Sequence, residues 1–400
     1  MTAVELGDLG LDEGAHLVIK RALAGVAVGA VVEVTGRAPT LIVDVPAWCR
    51  GQGHRVVAAD AGNGAARIRI ERGGAEVGRW RGAVRAGGPD PAVAGAVVDA
   101  PPASWGLAAR GATVEPGGLA LDFALADKRV VWADEAPRLY AHALAAQWDP
   151  ATAITWTAPI DHPPEIEAAV VQVMTYLIEN EAAALIVPAR FLGRIHPHFR
   201  EVMQLLAVQV ADEARHIEVF TRRARLRGCE LGLSTVGGQA SLATLLDEPD
   251  FAIAGFLLSV LGEGSFLDLL WFLRDHAPDP ITREVARLAA QDEARHVAFG
   301  LAHLGRHVEL EPALRSRLAA AVERRHAALA YTAGLNEEVF DALVLLAAGS
   351  WAPADLRRGH AAVIALRNGM DAGRRQRLAR LGFTPGEAAG LSGLHTRNFM

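Results

Sequence analysis

Apolar positions along the chain change their period near residue 75, and the change divides the predicted elements into two kinds. Before it, Val4-Glu5-Leu6 predicts a short strand and His16–Leu23 a helix. AVVEVTG then alternates as a strand that buries one face. DVPAWCRGQGHRVV predicts a second helix entering a strand at about Val56, and Ile68 and Ile70 mark one more strand. The order is βαβαββ. From about Gly73 to Gly118 the periodicity disappears into Gly, Pro and Ala (GGPDPAVAG, APPASWGLAARG, EPGG), which predicts a linker. Trp80 and Trp105 give parts of it something to pack with. Leu119–Trp132 predicts a strand or two, and PRLYAHALAAQWDP a short amphipathic helix closed by Pro150.

Beyond this point the apolar spacing is helical. A first long helix is expected from about Pro164 to Phe191, with Pro188 kinking or ending it. IHPHF is a turn, and a second helix runs from about Phe199 to Arg227, stopped by Gly228. Cys229 to Pro249 is too long for a hairpin and predicts a crossover connection. The third and fourth helices are Asp250–Asp275 and about Ile281–Arg306. The remainder to Met400 is mostly helical, with breaks near Gly349, Gly369 and Pro385 and no catalytic pattern in the tail. The expected protein is multi-domain and mainly α. A small two-layer α/β domain occupies 1–75, a connecting region 76–134, a four-helix bundle 135–330 and a helical extension 331–400.

Composition narrows the class. A net charge of −6 over 400 residues offers no basic field for nucleic acid. Lys20 and Lys128 are the only lysines, so arginine carries the positive charge, as in a GC-rich coding bias. Cys49 and Cys229 lie far apart and suggest no disulfide framework, which fits a reducing cytoplasm. The acidic start, MTAVELGDLGLDEG, lacks the regions of a signal peptide. Phe251–Leu273 is apolar enough to span a membrane, but Glu263 and Asp268 interrupt it. It reads as the central helix of a soluble bundle.

The chemistry is concentrated in a pentapeptide, Asp-Glu-Ala-Arg-His, found at Asp212–His216 and again at Asp292–His296. In each copy a glutamate and a histidine stand three apart, Glu213 with His216 and Glu293 with His296. On a helix that spacing puts both on one face, within reach of one ion. A single Glu-x-x-His is ordinarily a solvated face. A verbatim repeat with a carboxylate in an apolar helix upstream of each copy is not. Upstream of the first stands Glu179 or Glu181, and upstream of the second Glu263. Leaving Glu263 charged and unpaired in such a helix would cost several kcal/mol. Glu179 and Glu181 are two apart and cannot both face the same site. Aligning the halves sets Glu179 opposite Glu263, so Glu179 is the expected partner. The expected metal set is Glu179, Glu213, His216, Glu263, Glu293 and His296, with carboxylates and imidazoles suited to iron or manganese.

Two halves in this order resemble the ferritin-like di-iron oxidase and oxygenase superfamily. The resemblance implies two Fe ions, with Mn or a mixed Fe/Mn pair as the alternative, and O2 as co-substrate. Glu179 and His216 are expected as terminal ligands of one ion. Glu263 or Glu293 joins His296 on the other, the remaining carboxylates bridging. It also implies that Asp212 and Asp292 each hydrogen-bond the histidine of the opposite motif. The implied activity is oxidation of a small organic substrate by hydroxylation, desaturation, N-oxygenation or bond cleavage. A ferroxidase and a metal-free interaction module are the alternatives. An external electron donor and a homodimer are compatible with it, and no nucleic acid or membrane partner is expected. His196, His198, His303 and His307 lack a paired carboxylate and read as surface or capping residues. In the ribonucleotide reductase small subunit the radical tyrosine stands one helical turn after the first Glu-x-x-His. That position here is Phe220, its counterpart Gly300, and the only tyrosines are Tyr140, Tyr176 and Tyr331.

The N-terminal order, with VPAWCRGQGH at its centre, resembles the TusA-like sulfur-carrier family. That family acts through a cysteine in a Cys-Pro-x-Pro motif opening its first helix. Here the stretch is Leu11-Asp-Glu-Gly-Ala-His16, and Cys49 belongs to the second helix as a packed small residue. A fold reused for docking or dimerisation is expected in place of sulfur transfer.

Overall fold

The computed structural model describes residues 2–62, 64–330 and 337–395, so Tyr331 and the end of the tail lie outside the described residues. It divides into two compact units, Met1–Ala86 with Gly111–Ala120, and Gly87–Arg110 with Leu121–Met400.

In the first unit, β1 (Thr2–Glu5), α1 (Ala15–Ala24), β2 (Val31–Gly36), α2 (Leu41–Gln52), β3 (Arg55–Gly62) and β4 (Ala65–Glu71) follow the expected order. The sheet order is β1-β2-β4-β3, with β1 parallel to β2 and the other pairs antiparallel. The register sets Val32 opposite Ile70 and Val34 opposite Ile68, so one face of the sheet is apolar. Ile19 and Leu23 of α1 and Leu41, Val45 and Cys49 of α2 share this buried core. Burial pushes the Cys49 thiol up to about 11. The connecting region is more structured than a linker. It forms a helical turn at Ala75–Arg79 and a two-stranded ladder, β5 (Val84–Arg85) with β6 (Thr113–Val114).

The second unit is a ferritin-like helical bundle with further helices after it. A short helix, α3 (Ala136–Ala145), precedes the long α4 (Pro164–Leu192) and α5 (Arg200–Arg225). The crossover contains its own helix, α6 (Val236–Leu246). Then come α7 (Phe251–His276) and α8 (Pro280–Leu310), followed by α9 (Leu314–Leu329), α10 (Glu337–Ala348), α11 (Pro353–Arg380) and α12 (Pro385–His395). α4 packs along α5 and α7 along α8. α4 and α7 are both long and apolar enough to cross a membrane, but most of each apolar window is buried inside the bundle. They are its core helices.

Three local expectations need correction. Leu119–Trp132 forms no strand among the described residues. Asp127 accepts from Arg129 N and starts a helical turn, Lys128–Val131, beside a single bridge from Leu125 to Ile195. Pro188 does not end α4, because it falls in the last turn, where little helix remains to disrupt. Gly369 does not break α11, since a glycine costs a helix only about 1 kcal/mol and packing overrides it. The winding of α7 is also irregular: Phe256–Glu263 forms a π-helix inside it. Such segments occur frequently at functional sites.

Candidate metal centre

α5 and α8 each carry one copy of the repeated pentapeptide, and all its residues except the alanines turn inward or across the helix pair. Glu213 and His216 from α5 meet Glu293 and His296 from α8, with Glu263 from the end of the π-helix and Glu181 from α4. The carboxylates and imidazoles form two groups whose donor atoms lie within 4.8 Å of one another. One is Glu181, Glu213, His216 and Glu293; the other is Glu213, Glu263, Glu293 and His296. Glu213 and Glu293 belong to both groups, whereas Glu181 and His216 fall only in the first and Glu263 and His296 only in the second.

Glu179 is not among them. It is half-buried and outside both groups, whereas Glu181 is 2% exposed. The alignment of the two halves assumed equal winding in both upstream helices. The π-turns of α7 have no counterpart in α4, so equal sequence offsets do not give equal faces.

Both histidines point Nδ1 at the carboxylates. His216 Nδ1 lies 3.0 Å from Glu213, 3.4 Å from Glu293 and 3.6 Å from Glu181. His296 Nδ1 lies 3.0 Å from Glu213 and 3.3 Å from Glu293. The opposite nitrogens cross between motifs: His216 Nε2 is 3.2 Å from Asp292 and His296 Nε2 is 3.3 Å from Asp212. With Nε2–H given to the aspartate, each ring would present Nδ1 to an ion held among the carboxylates. The arginines complete the arrangement. Arg215 donates to Asp212 and Asp292, and Arg295 donates to Asp292 and stands 3.6 Å from Asp212.

The donor set fits a pair of divalent ions. Glu181 Oε1, Glu213 Oε1, Glu263 Oε2 and Glu293 Oε1 are buried without a hydrogen-bond partner. His296 Nδ1 stands 3.0 Å from Glu213 Oε1 without a hydrogen bond between them. Burial, then the charges of Glu213 and Glu293, push the Glu181 carboxyl well above its ordinary range. Burial, then Glu293, do the same to Glu263. Burial alone would raise Glu213, but the adjacent His296 and His216 hold it far below the usual carboxylate range. Burial pulls His216 down, yet Glu181 and Asp292 more than offset it. A carboxylate cluster this crowded favours cations, and oxygen with imidazole nitrogen suits iron or manganese.

Several contributing residues were not foreseen. Gln209 Nε2 donates to Glu263 Oε1 at 2.9 Å; its place one turn before Glu213 was a usable signal. Gln147 donates to Asp212 at 2.9 Å and Trp148 Nε1 to Asp292 at 2.7 Å, and no spacing marked either. His196, His198, His303 and His307 are buried, not surface residues, although His196 does cap the turn before α5.

Beside the centre lies a narrow cavity of about 20 Å³ lined by Asn180, Ala184, Leu242, Leu245, Leu258, Gly262 and Phe266, with Glu181, Glu263 and Glu293 on one wall. Its surface is almost wholly apolar.

Residues 15–72 match the family model of the sulfurtransferase TusA. No curated protein matches the chain. Among solved structures, a variant of an R2-like ligand-binding oxidase with an aerobically reconstituted Mn/Fe cofactor is similar over 61% of this chain and 93% of that one, at 18% identity and a TM-score of 0.48. The R2-like ligand-binding oxidase from Sulfolobus acidocaldarius is similar over 63% and 92%, at 16% identity and a TM-score of 0.39. Likeness at this level carries no residue correspondence. The chain's own elements define the class: a TusA-like domain over residues 15–72, followed in sequence by a ferritin-like bundle with a buried carboxylate–histidine cluster.

Proposed function

We propose that the chain is an O2-dependent di-metal oxidase or oxygenase acting on a small organic molecule. The observation that carries this reading is the set of four buried, unpartnered glutamate oxygens beside two histidines, facing an apolar cavity. Glu181 and His216 would hold one ion, Glu263 and His296 the other, with Glu213 and Glu293 between them. An iron or mixed iron–manganese pair supplies reductive activation of O2 at such a site. The protein's part is positional. Asp212 and Asp292 fix the histidine tautomers, Gln209 orients Glu263, and Leu242, Leu245, Leu258 and Phe266 keep water from the reacting substrate.

Metal analysis of full-length protein grown with iron and manganese, followed by O2 uptake after reduction, tests this. The expected result is about two iron or manganese ions per chain and O2 uptake that Glu213→Ala abolishes. Zinc alone, or no metal after supplementation, overturns it.

A further inference from the structure

Leu258 stands in the walls of two cavities. One is the narrow space beside Glu181, Glu263 and Glu293. The other, of about 30 Å³, lies between α4, α5, α7 and α8, walled by Val187, Phe191, Leu206, Phe251 and Phe299. The two differ in what their walls leave open. The first carries four buried side-chain oxygens without a partner, on Asn180, Glu181, Glu263 and Glu293. The second carries none among the described residues, and its surface is mostly apolar. Its polar wall groups are engaged elsewhere. Gln209 Nε2 donates to Glu263 at 2.9 Å, the Ser259 hydroxyl bonds the same carboxylate, and His303 Nε2 meets the Val130 carbonyl at 2.6 Å.

Water settles where about two to four hydrogen bonds await it, whereas an apolar cavity stays dry and takes up apolar gas. The volume is about twice what a single water needs, which suits a diatomic molecule. The cavity also has a mouth. Of the residues lining it, only Gly255 is not buried. A Cβ placed there meets no atom within 4 Å, so the missing side chain leaves the entrance clear. The inner end is at Gln209 and Ser259, both bonded to Glu263.

We propose that this cavity binds O2 that enters at Gly255, and supplies it to the metal centre across Gln209 and Ser259. The supply rests on the oxidase reading; uptake of an apolar diatomic gas does not.

The test uses O2 itself as a paramagnetic probe. Full-length, metal-depleted protein labelled at leucine and valine methyls is examined by NMR under O2 pressure. Relaxation at Val187, Leu206 and Leu258 should be enhanced about fivefold over that at Leu318 and Val363, which are fully buried and line neither cavity. Gly255→Leu, which puts a side chain into the mouth, should bring the three methyls to the reference level. It should also slow O2 consumption by reduced, metal-loaded protein about tenfold at unchanged metal content. Should Gly255→Leu fail to fold by thermal melting, Val187→Ile, which adds one methylene from α4, carries both readouts. Enhancement at these methyls supports the gas site even if metal analysis defeats the oxidase reading. Enhancement no greater than at Leu318 and Val363, or cross-relaxation of the three methyls with water held in the cavity, overturns the proposal. So does O2 consumption that keeps its rate when the cavity is filled.

Discussion

Asp292 belongs to the second copy of the repeated pentapeptide, yet its carboxylate lies 3.2 Å from His216 of the first. Asp212 makes the reciprocal approach to His296 at 3.3 Å. The two motifs are therefore one unit. Each supplies a glutamate and a histidine to the cluster and an aspartate that orients the other's histidine. Arg215, placed over the Trp148 ring at 4.6 Å, donates to both aspartates and keeps their charges close together. Burial pushes Asp292 up, but its bonds to His216 and Arg215 bring it well below the usual carboxylate range, so it remains an acceptor at neutral pH.

Replacing that acceptor should loosen the ring it holds. Asp292→Asn is expected to weaken metal affinity by about 10- to 100-fold, measured by competition with a chelator. Trp148→Phe, which removes one donor to Asp292 and leaves the aspartate in place, should have a smaller effect in the same direction. Equal metal retention in Asp292→Asn and the unmodified chain would show that the contact does not orient His216.

His303 gives a pH dependence independent of the ligands. It is buried between Phe251 and Phe299, and its Nε2–H donates to the Val130 carbonyl at 2.6 Å. Burial pushes it down to about 4, against an ordinary value of 6.5. Its folded pKa is depressed, so its contribution is fully present above pH 6.5 and is lost as the pH falls towards 4. The loss is on the order of 3 kcal/mol. His303→Phe should flatten the fall in urea midpoint between pH 7.5 and pH 5 relative to the unmodified chain. Parallel slopes would assign the acid sensitivity elsewhere.

Much of this was legible because helical spacing and exact repetition are local properties. Glu213 and His216 share a face wherever the helix lies, and the repeat at Glu293 and His296 implies a second half. The βαβαββ order was legible for the same reason, since Val32, Val34, Ile68 and Ile70 alternate in the chain as they do in the sheet. What depends on non-local packing was not. The π-turns of α7 arise where its apolar residues meet neighbours on every side, and no residue between Phe256 and Glu263 announces them. Gln147 and Trp148 reach the aspartates only because the short helix before the bundle folds back on α5 and α8.

The aromatic residue beside His216 is Phe220, with ring centroids 6.1 Å apart, and it has no phenol proton to lose. Its counterpart Gly300 packs so closely on the π-helix that a Cβ there would stand 2.6 Å from Ser259 Cβ. No stable tyrosyl radical of the reductase type is therefore expected after the reduced protein meets O2. Electron paramagnetic resonance of the oxygen-exposed protein checks this, and a persistent tyrosyl signal would refute it.

The choice between Glu179 and Glu181 is decided by mutation. Glu181 is buried and 3.6 Å from His216 Nδ1, with one oxygen left open. Its carboxyl is pushed well above the ordinary range by burial and by Glu213 and Glu293, like charges that a bound cation would offset. Glu179, half-buried on the same helix, belongs to neither donor group. Glu181→Ala should accordingly remove about one ion of the pair, the one shared with His216, as measured by elemental analysis. Glu179→Ala should leave metal content at the level of the unmodified chain. Metal loss in Glu179→Ala with retention in Glu181→Ala would mean that α4 turns its other face to the centre and that the terminal pair with His216 is wrongly assigned.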